Sequence, residues 1–128
     1  KIDDGEIKKL LRLNDAEYLF IKEQFVDFYK KITELCANKT ICLYAYGKWG
    51  IRLATYLKEL EIFIDYVIDK RYKQIKDIPA FSIDMDLPQV DVVMIALNEH
   101  ADEVGQIARK KMPEADIIFL RDIVPELW

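Results

Sequence analysis

Ile41-Cys42-Leu43-Tyr44-Ala45-Tyr46-Gly47-Lys48-Trp49-Gly50 is the stretch on which the fold of this chain turns. Its first four residues form an apolar run of strand length. A turn with two glycines follows. Residues 48–60 then continue as an amphipathic helix with Ile51, Ala54, Leu57 and Leu60 on the inner face. A strand that feeds a glycine turn and then a helix opens many nucleotide-binding α/β domains. Set against the pattern G-x-G-x-x-G, this turn reads A-x-G-x-x-G, with Ala45 at the first glycine. The middle glycine, Gly47, lets backbone come close to a diphosphate, and the last, Gly50, lets the helix pack tightly on the strand. Lys48 and Trp49 lie between them, where the helix N-terminus offers free N–H groups and the positive end of a dipole to an anion. Ala45 fits only if its backbone dihedrals stay in the ordinary regions.

Downstream, residues 63–68 read as a second strand that ends at Asp69. This acid stands 22 residues after Gly47, about where a ribose-binding carboxylate belongs. Residues 79–83 form a short third strand and 84–88 a connecting turn. Residues 91–97 are near-continuously apolar, as expected of a central parallel strand covered on both faces. A helix over 101–112 points Ala101, Val104 and Ala108 inward and stops before Pro113. Residues 117–120 form a last strand, and 122–128 a short helix or tail. Strands alternating with helices predict an α/β domain, a Rossmann-like parallel sheet of four to five strands flanked by helices.

Upstream, residues 3–12 read as a short amphipathic helix with Ile7, Leu10 and Leu11 on one side. Asn14-Asp15-Ala16-Glu17 has the form of a capping box. Behind it Tyr18, Ile21, Phe25, Phe28, Tyr29, Ile32, Leu35 and Cys36 recur at three- and four-residue steps, one face of a helix of about six turns ending near Asn38. This stripe is expected to pack on its own domain. Phe20 and Val26 lie off it, which leaves room for a second contact. Residues 1–39 thus form an N-terminal helical extension and residues 40–128 the Rossmann-like domain. Together they make one compact unit, expected to be part of a longer protein because the chain starts at Lys1 rather than at a methionine.

The 128 residues, 52% hydrophobic and 33% charged, describe a globular domain able to bury a core without staples. Net charge is −4 and the basic residues are scattered, which argues against nucleic-acid binding. No apolar run has membrane-span length, and no signal-peptide pattern opens the chain, so a cytoplasmic location is expected. Cys36 and Cys42 fall on different elements and read as buried free thiols in a reducing compartment. No Cys/His set has metal spacing.

Several segments resemble a group of Rossmann-like domains attached to bacterial enzymes of surface-polysaccharide and sugar-nucleotide metabolism. Residues 41–50 resemble the group's "I-x-L-Y-G-A-G-K-x-G" opening. Tyr66-Val67-Ile68-Asp69 resembles its second strand, Ile78-Pro79-Ala80-Phe81 its "I-P-V" strand, and Asp91-Val92-Val93-Met94-Ile95-Ala96 its "D-x-V-I-I-A" strand. Members include N-terminal domains of sugar acyltransferases and domains beside glycosyltransferases and small-molecule methyltransferases. The resemblance covers residues 41–122. It implies a nucleotide or nucleotide-sugar ligand contacted by Gly47, Lys48, Trp49 and Asp69. Ala45 departs from the pattern, which puts diphosphate contact there in doubt.

Other chemistry is sparse. Asn98, Glu99 and the only histidine, His100, follow the fourth strand and share the carboxyl edge of the sheet with the glycine turn. Asn98 reads as the cap of the next helix and as a further rim contact for a ligand. His100 reads as an exposed first-turn residue. No nucleophile elbow exists, and Ser82 is the sole serine. Lys70, Arg71, Lys73 and Lys76 could meet a phosphate but read first as a solvated loop, and Tyr72 could stack on a base. The leading expectation is a non-catalytic module that binds a nucleotide or nucleotide-sugar at Gly47 to Gly50, Asp69 and Asn98 and serves a polysaccharide-pathway enzyme. Two others stay open. One is an interaction module that dimerises or docks a neighbouring domain through helix 15–37, its glycine turn empty. The other is an NAD(P)-dependent oxidoreductase or epimerase domain.

Overall fold

The computed structural model describes residues 15–124, with side chains described from residue 26. The expected helix over 3–12, Asn14 of the expected capping box, the side chains of the stripe from Tyr18 to Phe25 and the last four residues lie outside these. The chain is α/β: a six-stranded, mostly parallel sheet flanked by helices, compatible with a Rossmann-like fold. In chain order the elements are α1 (Asp15–Cys36), β1 (Ile41–Tyr44), α2 (Lys48–Glu59), β2 (Tyr66–Ile68), β3 (Gln74–Ile75), β4 (Ile78–Phe81), β5 (Val92–Ile95), α3 (Ala101–Lys111) and β6 (Asp116–Phe119), with a 3-10 turn at Leu120–Asp122. The sheet order is β3-β4-β2-β1-β5-β6, and every pairing is parallel except β3 with β4.

The strands are apolar because both faces of the sheet are covered. On one face α1 and α2 pack: Phe28, Ile32 and Cys36 from α1 and Leu53 and Leu57 from α2 meet Ile41, Leu43, Val67, Val92 and Met94. On the other, Ala101, Ala108 and Met112 at α3 meet Cys42, Tyr66, Val93 and Ile95. The second half of α1 therefore belongs to the same core as the sheet. Phe28 also stacks on Tyr56, with ring centroids 5.3 Å apart. Asn38 ends this segment in the left-handed region, φ 59°, which satisfies a common helix-stop geometry.

Several boundaries depart from the sequence reading. On α2 the buried residues are Gly50, Leu53, Tyr56 and Leu57, while Ile51 faces out and is 44% exposed. β2 starts at Tyr66 rather than 63, and Phe63 is 84% exposed. The cause is local. The Asp65 carboxylate accepts the Ile41 N–H at 2.7 Å, and Asp65 N–H donates to the Ile41 carbonyl, so the β1–β2 ladder closes there. A strand was missed altogether: β3 turns back on β4 through Lys76-Asp77, with Lys76 at φ 54° where a hairpin usually carries glycine. Among the described residues the sheet has six strands, five of them in the parallel set.

Both cysteines are free and buried. Burial pushes the Cys36 thiol up to about 11 and the Cys42 thiol up to about 12. Since the thiolate is the nucleophile, neither should react with a disulfide reagent at pH 8 faster than the protein opens. Two thiols should titrate at once in denaturant; prompt reaction of either in the native protein would contradict the packing described.

Candidate functional site

The five parallel strands read β4-β2-β1-β5-β6 across the sheet. The chain leaves β1 toward β2 on one side and later places β5 on its other side, so the order reverses between β1 and β5. Ligands of open α/β sheets bind at such a point, outside the carboxyl ends of the strands. Backbone hydrogen bonds tie these ends together: Asp69 N–H to the Phe81 carbonyl at 2.9 Å, Ala45 N–H to Ile68 at 2.8 Å, and Ala96 N–H to Tyr44 at 3.1 Å. The glycine turn and Asp69 share this edge.

Gly47 is the N-cap of α2, in extended conformation and with no side-chain cap. Gly50 lies in the first turn of the helix. A Cβ there would overlap the carbonyl oxygen of Ala45 and stand 3.0 Å from its carbon. Its role is close approach of helix to strand, as the sequence suggested. Ala45 does not keep the ordinary dihedrals expected of a non-glycine residue in this turn: its φ is 79°, in the left-handed region. A glycine would sit there without strain, whereas an L-residue costs roughly 1–2 kcal/mol. Ala45→Gly should therefore hold or raise stability by up to about 1 kcal/mol, because relief of strain exceeds the unfolded-state entropy of glycine. Ala45→Val should lower stability by roughly 1–3 kcal/mol, since a β-branched residue is worse in this region and the site is buried. Urea unfolding of the pair checks both signs.

Asp69 has a 7% exposed side chain and four donors around it. Tyr46 N–H donates to Oδ2 at 2.9 Å. Arg71 donates three times: its backbone N–H to Oδ1 at 3.0 Å, Nε to Oδ1 at 3.0 Å and Nη2 to Oδ2 at 2.6 Å. The hydrogen bond from the Arg71 guanidinium holds the carboxyl at about 2; burial opposes this, and the two backbone N–H donors add to it. A carboxylate has about four lone-pair sites, so Asp69 is fully used inside the protein. The same guanidinium reaches the turn, with Nη2 3.7 Å from where a Cβ of Gly47 would stand. It also lies 5.5 Å from the centroid of the Tyr72 ring, and that ring meets Tyr46 edge-on at 5.6 Å.

Comparison with family models, curated proteins and solved structures finds no match.

The fold brings Gly47, Lys48, Gly50 and Asp69 together around the α2 N-terminus. Lys48 is exposed, and Trp49 is half-buried against the α1–α2 side of the core. Asn98 is exposed beyond the end of β5 but does not cap α3. The N-cap is His100, in the left-handed region at φ 60° and without a side-chain cap bond. Nδ1 of His100 lies 3.6 Å from Glu103, and both side chains are more than 70% exposed at 73% and 78%. Among the described residues no group of three or more His, Cys, Asp or Glu is placed to hold a metal ion, and no helix is long and apolar enough to cross a membrane.

Two features were missed in the sequence. Arg71 reads there as one cation in a solvated loop. Its i+2 spacing from Asp69 is the signal that it folds back onto that acid. The second is a groove of about 400 Å³ that runs along the flank of α2 from Tyr46 past Ala54 to Ile62 and Ile64, walled opposite by Ile75 and Ile78. The connection from β2 to β4 contains a hairpin and no helix, so among the described residues nothing helical covers that strip. Phe63 stands at its lip.

Proposed function

We propose that this chain is a non-catalytic Rossmann-like module that binds a nucleotide or nucleotide-sugar at the turn from Gly47 to Gly50 and serves a glycosyl-transfer or polysaccharide-pathway enzyme. The observation that carries the reading is the rim itself: the α2 N-terminus and the Arg71 guanidinium converge on Gly47 at the strand-order reversal. A backbone N–H terminus with a fixed cation beside it suits an anionic group. The likeness of residues 41–50, 66–69, 78–81 and 91–96 to domains of sugar-nucleotide metabolism supports the ligand class. On this reading the chemical step belongs to a partner domain: His100 is a solvent-exposed helix cap whose Nδ1 lies 3.6 Å from Glu103. Isothermal calorimetry against UDP- and CDP-sugars, NAD and S-adenosylmethionine tests the proposal. Binding of at least one nucleotide, weakened by Gly47→Val, is expected; no heat with any ligand at millimolar concentration would refute it.

A second reading, an interaction module, is favoured by the groove and the exposed Phe63 rather than by the helix stripe. Phe28, Ile32 and Cys36 are already buried in the chain's own core. Under that reading the protein is a dimer in light scattering and Phe63→Ser makes it monomeric. A monomeric wild type refutes the homodimer.

A further inference from the structure

Resting on the nucleotide reading above, we infer that this rim recognises the ligand's diphosphate charge and not its ribose diol, with Arg71 as the contact and Asp69 as the residue that positions it. In a carboxylate that reads ribose, the oxygens are free to accept from the two hydroxyls. Here both oxygens are engaged by Tyr46 N–H and by three donors of Arg71. A diol could enter only by displacing a charge-assisted pair held at 2.6 and 3.0 Å, and it would exchange an ionic donor for a neutral one.

The placement of Arg71 points the other way. Nε and Nη2 face Asp69, so among the described residues the two N–H groups of Nη1 and one of Nη2 remain for another partner. Nη2 lies 3.7 Å from the Cβ position of Gly47, over the backbone that a diphosphate would cross. The Arg71 side chain is 58% exposed while Asp69 is 7% exposed, so an incoming anion meets the cation first. Tyr72 backs the guanidinium, with its ring centroid 5.5 Å away. The pair therefore acts as one unit: a buried carboxylate fixes the plane of an exposed guanidinium at the turn.

The test titrates the intact chain with UDP, CDP and ADP, with their 2′-deoxy counterparts, with the monophosphates and with inorganic pyrophosphate. The 2′-deoxy compounds are expected to bind within about twofold of the parents, and the monophosphates about tenfold or more weakly. Arg71→Met should weaken diphosphate binding by about tenfold or more. Asp69→Asn should weaken it too, and should add nothing once Arg71 is methionine; a purely structural role for Asp69 would make the two losses add. Circular dichroism confirms that each variant is folded. Loss of tenfold or more on removing the 2′-hydroxyl, with Arg71→Met binding normally, overturns this inference and leaves the nucleotide reading intact. Binding of none of the nucleotides or pyrophosphate overturns both.

Discussion

Gly50→Ala should cost this protein about 3 kcal/mol or more, a large part of the roughly 5–15 kcal/mol that holds a domain folded. The added methyl has nowhere to go. It would overlap the Ala45 carbonyl oxygen, and that oxygen belongs to backbone, which cannot swing aside as a side chain can. Relief requires lifting the start of α2 from β1. Leu53 and Leu57, both buried under that helix, would lose contact with the sheet. The gain of about 1 kcal/mol in helix propensity from glycine to alanine does not offset this. Gly105→Ala is the control. Its Cβ would come 2.5 Å from Cζ of Phe119, the far end of a side chain that can yield by a shift in χ1, so the cost should be well below that at Gly50. Denaturant midpoints for the two variants should therefore differ widely although both are Gly→Ala inside a helix. Similar midpoints would show that the β1–α2 contact is loose.

Asp69→Ala is the second large effect, about 2–3 kcal/mol. It strips the acceptor from Tyr46 N–H and releases the Arg71 guanidinium at once. The effect depends on pH in a fixed direction. The folded-state value near 2 lies below the ordinary carboxyl value of 3.8, so the pair's stabilisation is present in full above about pH 4. It fades as the pH falls toward 2. Allowing for the half-exposed guanidinium, the contribution is about 1–2 kcal/mol. Wild-type protein should lose this much more stability than Asp69→Asn between pH 5 and pH 2. Equal losses would mean that the ion pair is not formed in solution.

Both effects sit on residues that the sequence marks: the last glycine of the turn and the acid that ends β2. They are legible because each is set by local chemistry, namely a helix that must approach a strand and a polar residue that stops an apolar run. β1 is legible for the same reason, since four apolar residues before a turn leave little choice. What was not legible depends on partners far away or on tolerated strain. Lys76 makes the β3–β4 turn at positive φ without glycine, so no hairpin signal exists. Ala45 does likewise in the glycine turn, and a pattern match cannot report a dihedral. Ile51 and Phe63 are apolar yet exposed, because neighbouring Leu53, Leu57 and Tyr66 fill the core positions first. Asn98 looks like a helix cap by residue type, but the chain needs two more residues to turn from β5, and His100 takes the position. Arg71 is different: its partner Asp69 is only two residues away, and a count of charges does not register the pairing.

The central pairing has a consequence for how the chain is made. β1 is the middle strand, and one of its two neighbours is β5, joined in register from Ile41 with Val92 to Tyr44 with Ile95. The strand that anchors the sheet thus leaves the ribosome 51 residues before one of its partners exists. Until then Ile41, Cys42 and Leu43, all fully buried in the finished protein, have an open flank. A chain cut short of Val92 keeps the turn, the acid and the arginine, yet β1, central in the whole protein, becomes an unsealed edge strand. Such a fragment is expected to aggregate rather than to fold as a smaller version of the whole.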